Sequence, residues 1–261
     1  MPVVTAPYKP GTPCWVDLMA SDQQAALDFY RDLFGWQGEV GPPEFGGYAV
    51  CSLNGRPVAG VMARSAPEGQ PLPEVSWTTY LAADDADAAS RAIADAGGTI
   101  LLPVMEVGDT GRMLVAADPT GAVFGVWQKL EFIGAGIVNE PGALVWNELN
   151  TTDTDAAGRF YREALGLRPG TIQGMDGFYS LNVGDHTVGG MQPVAGYLDP
   201  GTPSHWMTYF SVDDTDSTVD ALVKAGGSVL QPPFDMQAGR MAVVRDPQGA
   251  VFAVTSTPDS P

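Results

Sequence analysis

Two carboxylates, Asp17 and Glu148, each follow a tryptophan by two residues inside short β-prone stretches, Trp15-Val-Asp17 and Trp146-Asn-Glu148. Side chains alternate across a strand, so each tryptophan and its acid share one face. A carboxylate in mid-strand is costly to bury unless it has a partner or a task. Beside an aromatic plate it can act as counter-ion to a cation or as a general base. Tyr80 and Tyr209 recur in a second pair of stretches, Thr79-Tyr80-Leu81 and Thr208-Tyr209-Phe210, and bring phenols able to donate a proton or a hydrogen bond. The plainer reading is packing: the tryptophans fill space, and the acids bind backbone donors or an arginine such as Arg112 or Arg240. Cys14 and Cys51 lie in apolar stretches and read as buried thiols, too few for a disulfide framework or a cysteine metal cluster. The two histidines, His186 and His205, have no paired nucleophile, which argues against triad hydrolysis.

These residues recur because the chain is doubled. Gly11-Thr-Pro-Cys-Trp15-Val-Asp17-Leu18 is answered by Gly142-Ala-Leu-Val-Trp146-Asn-Glu148-Leu149, and Phe29-Tyr30-Arg31-Asp32 by Phe160-Tyr161-Arg162-Glu163, both at an offset of 131 residues. Further on, Ala96-Gly97-Gly98 matches Ala225-Gly226-Gly227. Gly111-Arg112-Met113 matches Gly239-Arg240-Met241, and Asp118-Pro119-Thr120-Gly121-Ala122 matches Asp246-Pro247-Gln248-Gly249-Ala250 at 128. Chance does not place so many blocks in register.

The elements that must position the acids can be read locally. A strand over Cys14–Met19 meets Ser21-Asp22, a helix cap, and an amphipathic run through Phe29, Tyr30 and Leu33 that Gly35 stops. Strands around Tyr48–Leu53 and Val58–Ala63 flank Asn54-Gly55, a hairpin signal. The pattern repeats with a strand at Ser76–Ala82, a helix at Asp87–Ala96, and strands at Ile100–Leu102, Met113–Ala117 and Val123–Gln128. Helical spacing makes Phe29-Tyr30 and Phe160-Tyr161 core residues. Gly97-Gly98 is a helix stop, not a nucleotide loop.

A net charge of −18, with 13 basic residues scattered among 31 acidic ones, speaks against nucleic acid and against anionic membranes. No apolar run approaches the roughly 18–20 residues that span a bilayer, and the N-terminus has no basic leader or apolar h-region. A cytoplasmic location is expected.

Strand–Ser/Thr-Asp–helix–Phe-Tyr-Arg-Asp/Glu, closed by Gly-Arg and Asp-Pro-x-Gly-Ala, resembles the vicinal oxygen chelate superfamily of glyoxalase I, bleomycin-resistance proteins and extradiol dioxygenases. The resemblance runs from Gly11 to about Val254, and the tandem form is similar to actinobacterial glyoxalase-like proteins, some labelled hydroxylase. It implies an α+β fold: four βαβββ modules forming two open, cup-shaped mixed sheets. The copies are expected at residues 9–130 and 141–257, joined by a linker at 131–140.

The resemblance also implies where a divalent metal would sit. The ligand positions are Trp15, Thr78 and Gly125 in the first copy and Trp146, Met207 and Ala253 in the second, none an ordinary ligand. No metal and no cofactor are expected, and His205 is placed as a loop or ligand-contacting residue. On the implied cup walls stand Trp15, Asp17, Met19, Thr78, Tyr80, Val123 and Trp127, and Trp146, Glu148, Asn150, Met207, Tyr209, Val251 and Thr255. Two functions follow. The first is metal-free binding of a hydrophobic or aromatic small molecule, with Arg112, Arg240 and His205 among the contacts. The second is metal-independent catalysis on a polyketide-like or carbonyl substrate, with Asp17 or Glu148 as base and Tyr80 or Tyr209 as donor. A metal-dependent glyoxalase or dioxygenase is the third reading. Both copies keep the Trp–acid–Tyr trio, so two similar sites are expected, in a monomer or a homodimer.

Overall fold

β1 (Pro13–Ala20) is apolar except at Asp17 and buried on both faces, and Asp22 then caps α1 (Gln23–Phe34) by accepting from the Ala25 N–H at 3.0 Å. Gly35, at φ 75°, ends that helix with its N–H on the Arg31 carbonyl. A 3-10 turn at Pro43–Phe45 leads into β2 (Ala49–Leu53), β3 (Arg56–Ala63), β4 (Ser76–Ala83), α2 (Ala86–Asp95), β5 (Thr99–Val107), β6 (Gly111–Ala117) and β7 (Val123–Lys129). The second copy holds β8 (Leu144–Thr151), α3 (Thr154–Leu165), β9 (Arg168–Thr171), β10 (Tyr179–Val183), β11 (His186–Pro193), β12 (His205–Ser211), α4 (Thr215–Lys224), β13 (Ser228–Met236), β14 (Gly239–Arg245) and β15 (Val251–Ser256). Asp85, Asp153 and Asp214 cap the other three helices as Asp22 does the first. The structure, a computed structural model, describes residues 3–66, 69, 71–196, 198, 201–236 and 238–257.

Each copy curls one open mixed sheet into a cup, so the fold is α+β with two cup-shaped sheets. The first sheet runs β2-β3-β1-β4-β7-β6-β5 and the second β13-β14-β15-β12-β8-β11-β10-β9. In both, the antiparallel pair at the centre, β1 with β4 and β8 with β12, joins two modules. Three modules are complete βαβββ units. In the first, the extra strand shrinks to a single bridge between Gln37 and Ser52 where the second copy has β9, which accounts for seven strands against eight. Asn54 and Gly55, at φ 52° and 72°, make the expected two-residue hairpin turn. Strands β5 and β13 run to nine residues, each an edge strand held by one neighbour, and their mostly exposed side chains leave little pattern to read.

The helices cover the convex sides of the sheets, and the copies interlock through them. Leu27, Phe29, Tyr30 and Phe34 of α1 share one core with Phe210 on β12 and Phe252 on β15. Phe160 and Tyr161 of α3 share another with Leu114, Phe124 and Val126 on β6 and β7. The Asp-Pro-x-Gly blocks have a structural task at these seams. Asp246 Oδ1 accepts from the N–H groups of Gln248, Gly249 and Ala250, and Asp118 Oδ1 from those of Thr120 and Ala122, which fixes the turn into the last strand of each copy. Among the described residues no helix is long and apolar enough to cross a membrane.

Candidate functional site

The concave face of the first sheet carries Trp15, Asp17 and Met19 on β1, Thr78 and Tyr80 on β4, and Trp127 on β7. Alternation sends Val16, Leu18, Trp77, Leu81 and Phe124 into the helix-side cores. Asp17 lies opposite Thr78 and Trp15 opposite Tyr80 in the β1–β4 ladder. Asp17 is 3% exposed, and burial pushes its carboxyl up to about 7 against the pull of the Tyr80 and Tyr48 hydroxyls. Tyr48 was not foreseen: its hydroxyl takes the Trp15 Nε1–H at 2.7 Å and donates to Asp17 Oδ2 at 3.2 Å. The phenol lies directly over Gly60 of β3, the residue paired with Asp17, where any Cβ would collide with it. Its signal in the sequence is weak, because the residue at the same place in the second copy is Phe178.

The first cup is closed by the chain itself. Phe132, in the segment after β7, stands edge-on to Trp15 at 4.9 Å between ring centroids and against Trp127 at 5.9 Å. The Trp127 indole donates to the Phe132 carbonyl at 2.8 Å, and the Tyr8 hydroxyl ties the same segment at Ala135 O. Trp15, Thr78, Tyr80 and Trp127 are all buried as a result. Of the 131–140 stretch, expected as a linker, Phe132, Ala135 and Val138 pack into the cup that precedes it, while Ile137 joins the core around α1.

The second cup presents the same strand positions in a more open state. Trp146, Glu148, His205 and Tyr209 are half-buried, while Asn150 and Met207 are buried. Glutamate is one methylene longer than aspartate and reaches its tryptophan without a bridging phenol: Trp146 Nε1 donates to Glu148 Oε2 at 3.0 Å. Burial pushes the Glu148 carboxyl up to about 6, opposed by that indole, and burial and the Glu148 charge raise the Tyr209 phenol. Asn150 accepts from Gln192 Nε2 at 2.7 Å and meets His205 Nε2 at 3.3 Å, while His205 Nδ1 faces the Pro203 carbonyl at 2.9 Å. A carbonyl can only accept, so the proton lies on Nδ1 and Asn150 donates to Nε2. That uses the histidine's one lone pair. Gln192 escaped the sequence reading because the first copy has Met62 at its place, opposite Met19.

Arg112 and Arg240 do not enter the cups. Both point to the helix side, on the face of β6 and β14 shared with Leu114 and Ala116 and with Ala242 and Val244. Arg112 pairs with Asp87 at 2.7 Å, and Arg240 with Asp216 and with Asp235 at 3.0 Å. The Gly-Arg blocks thus tie a strand to the first turn of α2 or α4, and the acids in the cups take aromatic donors instead.

A divalent metal does not fit the six positions where this fold would hold it. Their side chains are indole, hydroxyl, thioether, methyl or none, and Tyr80's ring fills the space over Gly125, so a Cβ there would collide with it. Among the described residues no group of three or more His, Cys, Asp or Glu could hold a metal ion.

A family model described as "Glyoxalase/Bleomycin resistance protein/Dioxygenase superfamily" matches residues 14–126 and again 127–254. The protein CFP32 of Mycobacterium tuberculosis (strain CDC 1551 / Oshkosh), whose name calls it a glyoxylase, is 45% identical over 255 residues, 95% of each chain. The anthracycline biosynthesis protein DauV of Streptomyces sp. (strain C5) is 40% identical over 263 residues, 95% of this chain and 94% of its own. Among solved structures, a Mn(II)-bound glyoxalase from Novosphingobium aromaticivorans aligns with a TM-score of 0.64 at 18% identity over 95% of this chain and 82% of that one. A 2,2',3-trihydroxybiphenyl 1,2-dioxygenase from Sphingomonas wittichii strain RW1 aligns at 0.62 and 15% identity over 95% and 91%. At these identities the structures speak for the fold alone.

Proposed function

Because this chain belongs to the glyoxalase/bleomycin resistance protein/dioxygenase superfamily, with a cup in each copy, we propose that it binds a planar hydrophobic or aromatic small molecule in its second cup without a divalent metal. One observation carries this reading. Trp146, Glu148 and Tyr209 share one concave, half-buried face, with the indole hydrogen-bonded to the carboxylate and Met207 beside them. Such a wall offers a ring an aromatic plate, a soft thioether and one polar anchor. The relative named for anthracycline biosynthesis, a class of fused-ring compounds, favours a flat ligand. We place the protein in the cytoplasm as a monomer or homodimer, with no nucleic-acid or membrane partner. A thermal-shift screen with planar aromatic compounds tests the reading. Hits are expected that raise the melting temperature of the parent and lose that effect in Trp146→Ala. A panel with no hits, or hits indifferent to Trp146, would sink it.

A second reading is metal-independent catalysis on a polyketide-like or carbonyl substrate, favoured by the Glu148 carboxyl held at about 6. A base poised near neutral pH can take a proton from carbon or from a hydroxyl, while the Tyr209 phenol steadies the developing oxyanion. Glu148→Gln separates the two: retained binding with lost turnover favours catalysis, and absence of any product from the parent leaves binding alone.

A further inference from the structure

The two copies solve the same chemical problem differently, and the difference describes the ligand. In the first cup every polar group on the Trp–acid pair is met from within the chain. Tyr48 donates to Asp17 and accepts from Trp15, the Tyr80 hydroxyl steadies the same carboxylate, and the Phe132 ring rests edge-on against Trp15. In the second cup Tyr209 keeps the place of Tyr80, but the other aromatic partners change at the aligned positions. Phe178 stands where Tyr48 would, and Thr255 where Trp127 would. The space over Gly190 is bounded most closely by Glu148 and Trp146 themselves, not by a phenol as over Gly60. Among the described residues the Glu148 carboxylate accepts one hydrogen bond, from Trp146 Nε1 to Oε2, although a carboxylate has room for several.

We propose that the second cup is the one ligand site of the chain and that its ligand is a hydroxylated aromatic molecule. Its hydroxyl donates to Glu148 as the Tyr48 hydroxyl donates to Asp17, and its ring meets Trp146 as Phe132 meets Trp15. The first cup is then the internally occupied counterpart, a built-in picture of the filled state. This rests on the binding function proposed above and adds the hydroxyl requirement and the one-to-one ratio. A buried acceptor of this type discriminates strongly, because an analogue without the donor leaves the carboxylate unmet.

Isothermal titration of the full chain with 2-naphthol and with 2-methoxynaphthalene, the same ring system without the donor, tests it. The expected result is one 2-naphthol per chain, bound at least tenfold more tightly than the ether. In Glu148→Met, which keeps the side-chain length and removes the acceptor, the preference should fall to about twofold or less. Equal affinities for both probes, lost together in Trp146→Ala, would overturn the hydroxyl requirement and leave the binding function standing. Two equivalents per chain would overturn the single-site assignment. A 2-naphthol that fails to bind while other planar compounds bind through Trp146 overturns the inference alone. Failure of every planar compound overturns both.

Discussion

The hydroxyl of Tyr30, on α1 in the first copy, donates to Asp246 Oδ2 in the second at 3.0 Å across 216 residues of chain. The same hydroxyl accepts from the Trp77 indole at 3.3 Å, and Asp246 Oδ1 already holds three N–H groups of its turn. The opposite seam repeats the motif with Tyr161, which takes the Trp206 indole at 2.8 Å and faces Asp118. Each copy therefore lends a helix phenol to the turn that launches the other copy's last strand. The duplication is a structural interlock as well as a repetition.

Tyr30→Phe should cost about 2 kcal/mol, since it strips a donor from a buried charged acceptor and an acceptor from a buried indole. Denaturant unfolding would show it as a lower midpoint with an unchanged slope. Both copies share the cores around Tyr30 and Tyr161, so loss of signal from either half should track the other in one transition.

Much of this was legible from the repeated blocks. The Asp caps, the Asn54-Gly55 turn and the helical Phe-Tyr pairs follow local rules that act within a few residues. The face of each strand followed from alternation alone, which put Asp17 with Trp15 and Glu148 with Trp146. What escaped was anything that differs between the copies or depends on long-range packing. Tyr48 reaches Asp17 across two strands and has Phe178 as its counterpart, so comparison of the copies hid it. The burial of Phe132 depends on a segment folding back over its own sheet. A carboxylate seeks a cation, which associates Arg112 and Arg240 with the cups on sequence grounds, yet strand alternation turns both toward the helices, where Asp87 and Asp216 lie.

Asp17 gives a test with a definite sign. Burial pushes its carboxyl up to about 7 in the folded chain, from an ordinary value of 3.8. Between those values the folded state holds a proton that the unfolded chain has released, so stability falls as pH rises through this window. Asp17→Asn cannot ionise. Near pH 4 it should match the parent, and above about pH 7 it should be more stable by an amount on the order of 1–3 kcal/mol. Paired denaturation curves at pH 4.5 and 8.5 check this. A variant less stable than the parent at pH 8.5 would contradict the burial cost assigned to Asp17.

The space over Gly125 is already taken. Tyr80's ring packs against that Cα, so Gly125→Ala should destabilise by about 1–3 kcal/mol through overpacking. The aligned Ala253 carries a methyl at no such penalty, since it is fully buried in its native place beside Met207 and Met241. Installing a ligand with Gly125→Glu should cost more than alanine and yield no metal-induced rise in melting temperature.

Chelation addresses the metal at both cups together. A cation bound at a hundredfold its dissociation constant stabilises a fold by about 2.7 kcal/mol. In a chain of 261 residues that is worth several degrees, at roughly 2–4 °C per kcal/mol. The positions that would hold it are Trp15, Thr78 and Gly125, and Trp146, Met207 and Ala253, and the one nearby histidine, His205, has its lone pair committed to Asn150. Dialysis of untagged protein against EDTA should therefore leave the melting temperature unchanged, and added Mn(II), Ni(II) or Zn(II) should not raise it. A drop of several degrees on chelation, restored by one equivalent of metal, would put a cation back into the cup and reassign Glu148 from ligand anchor to metal ligand.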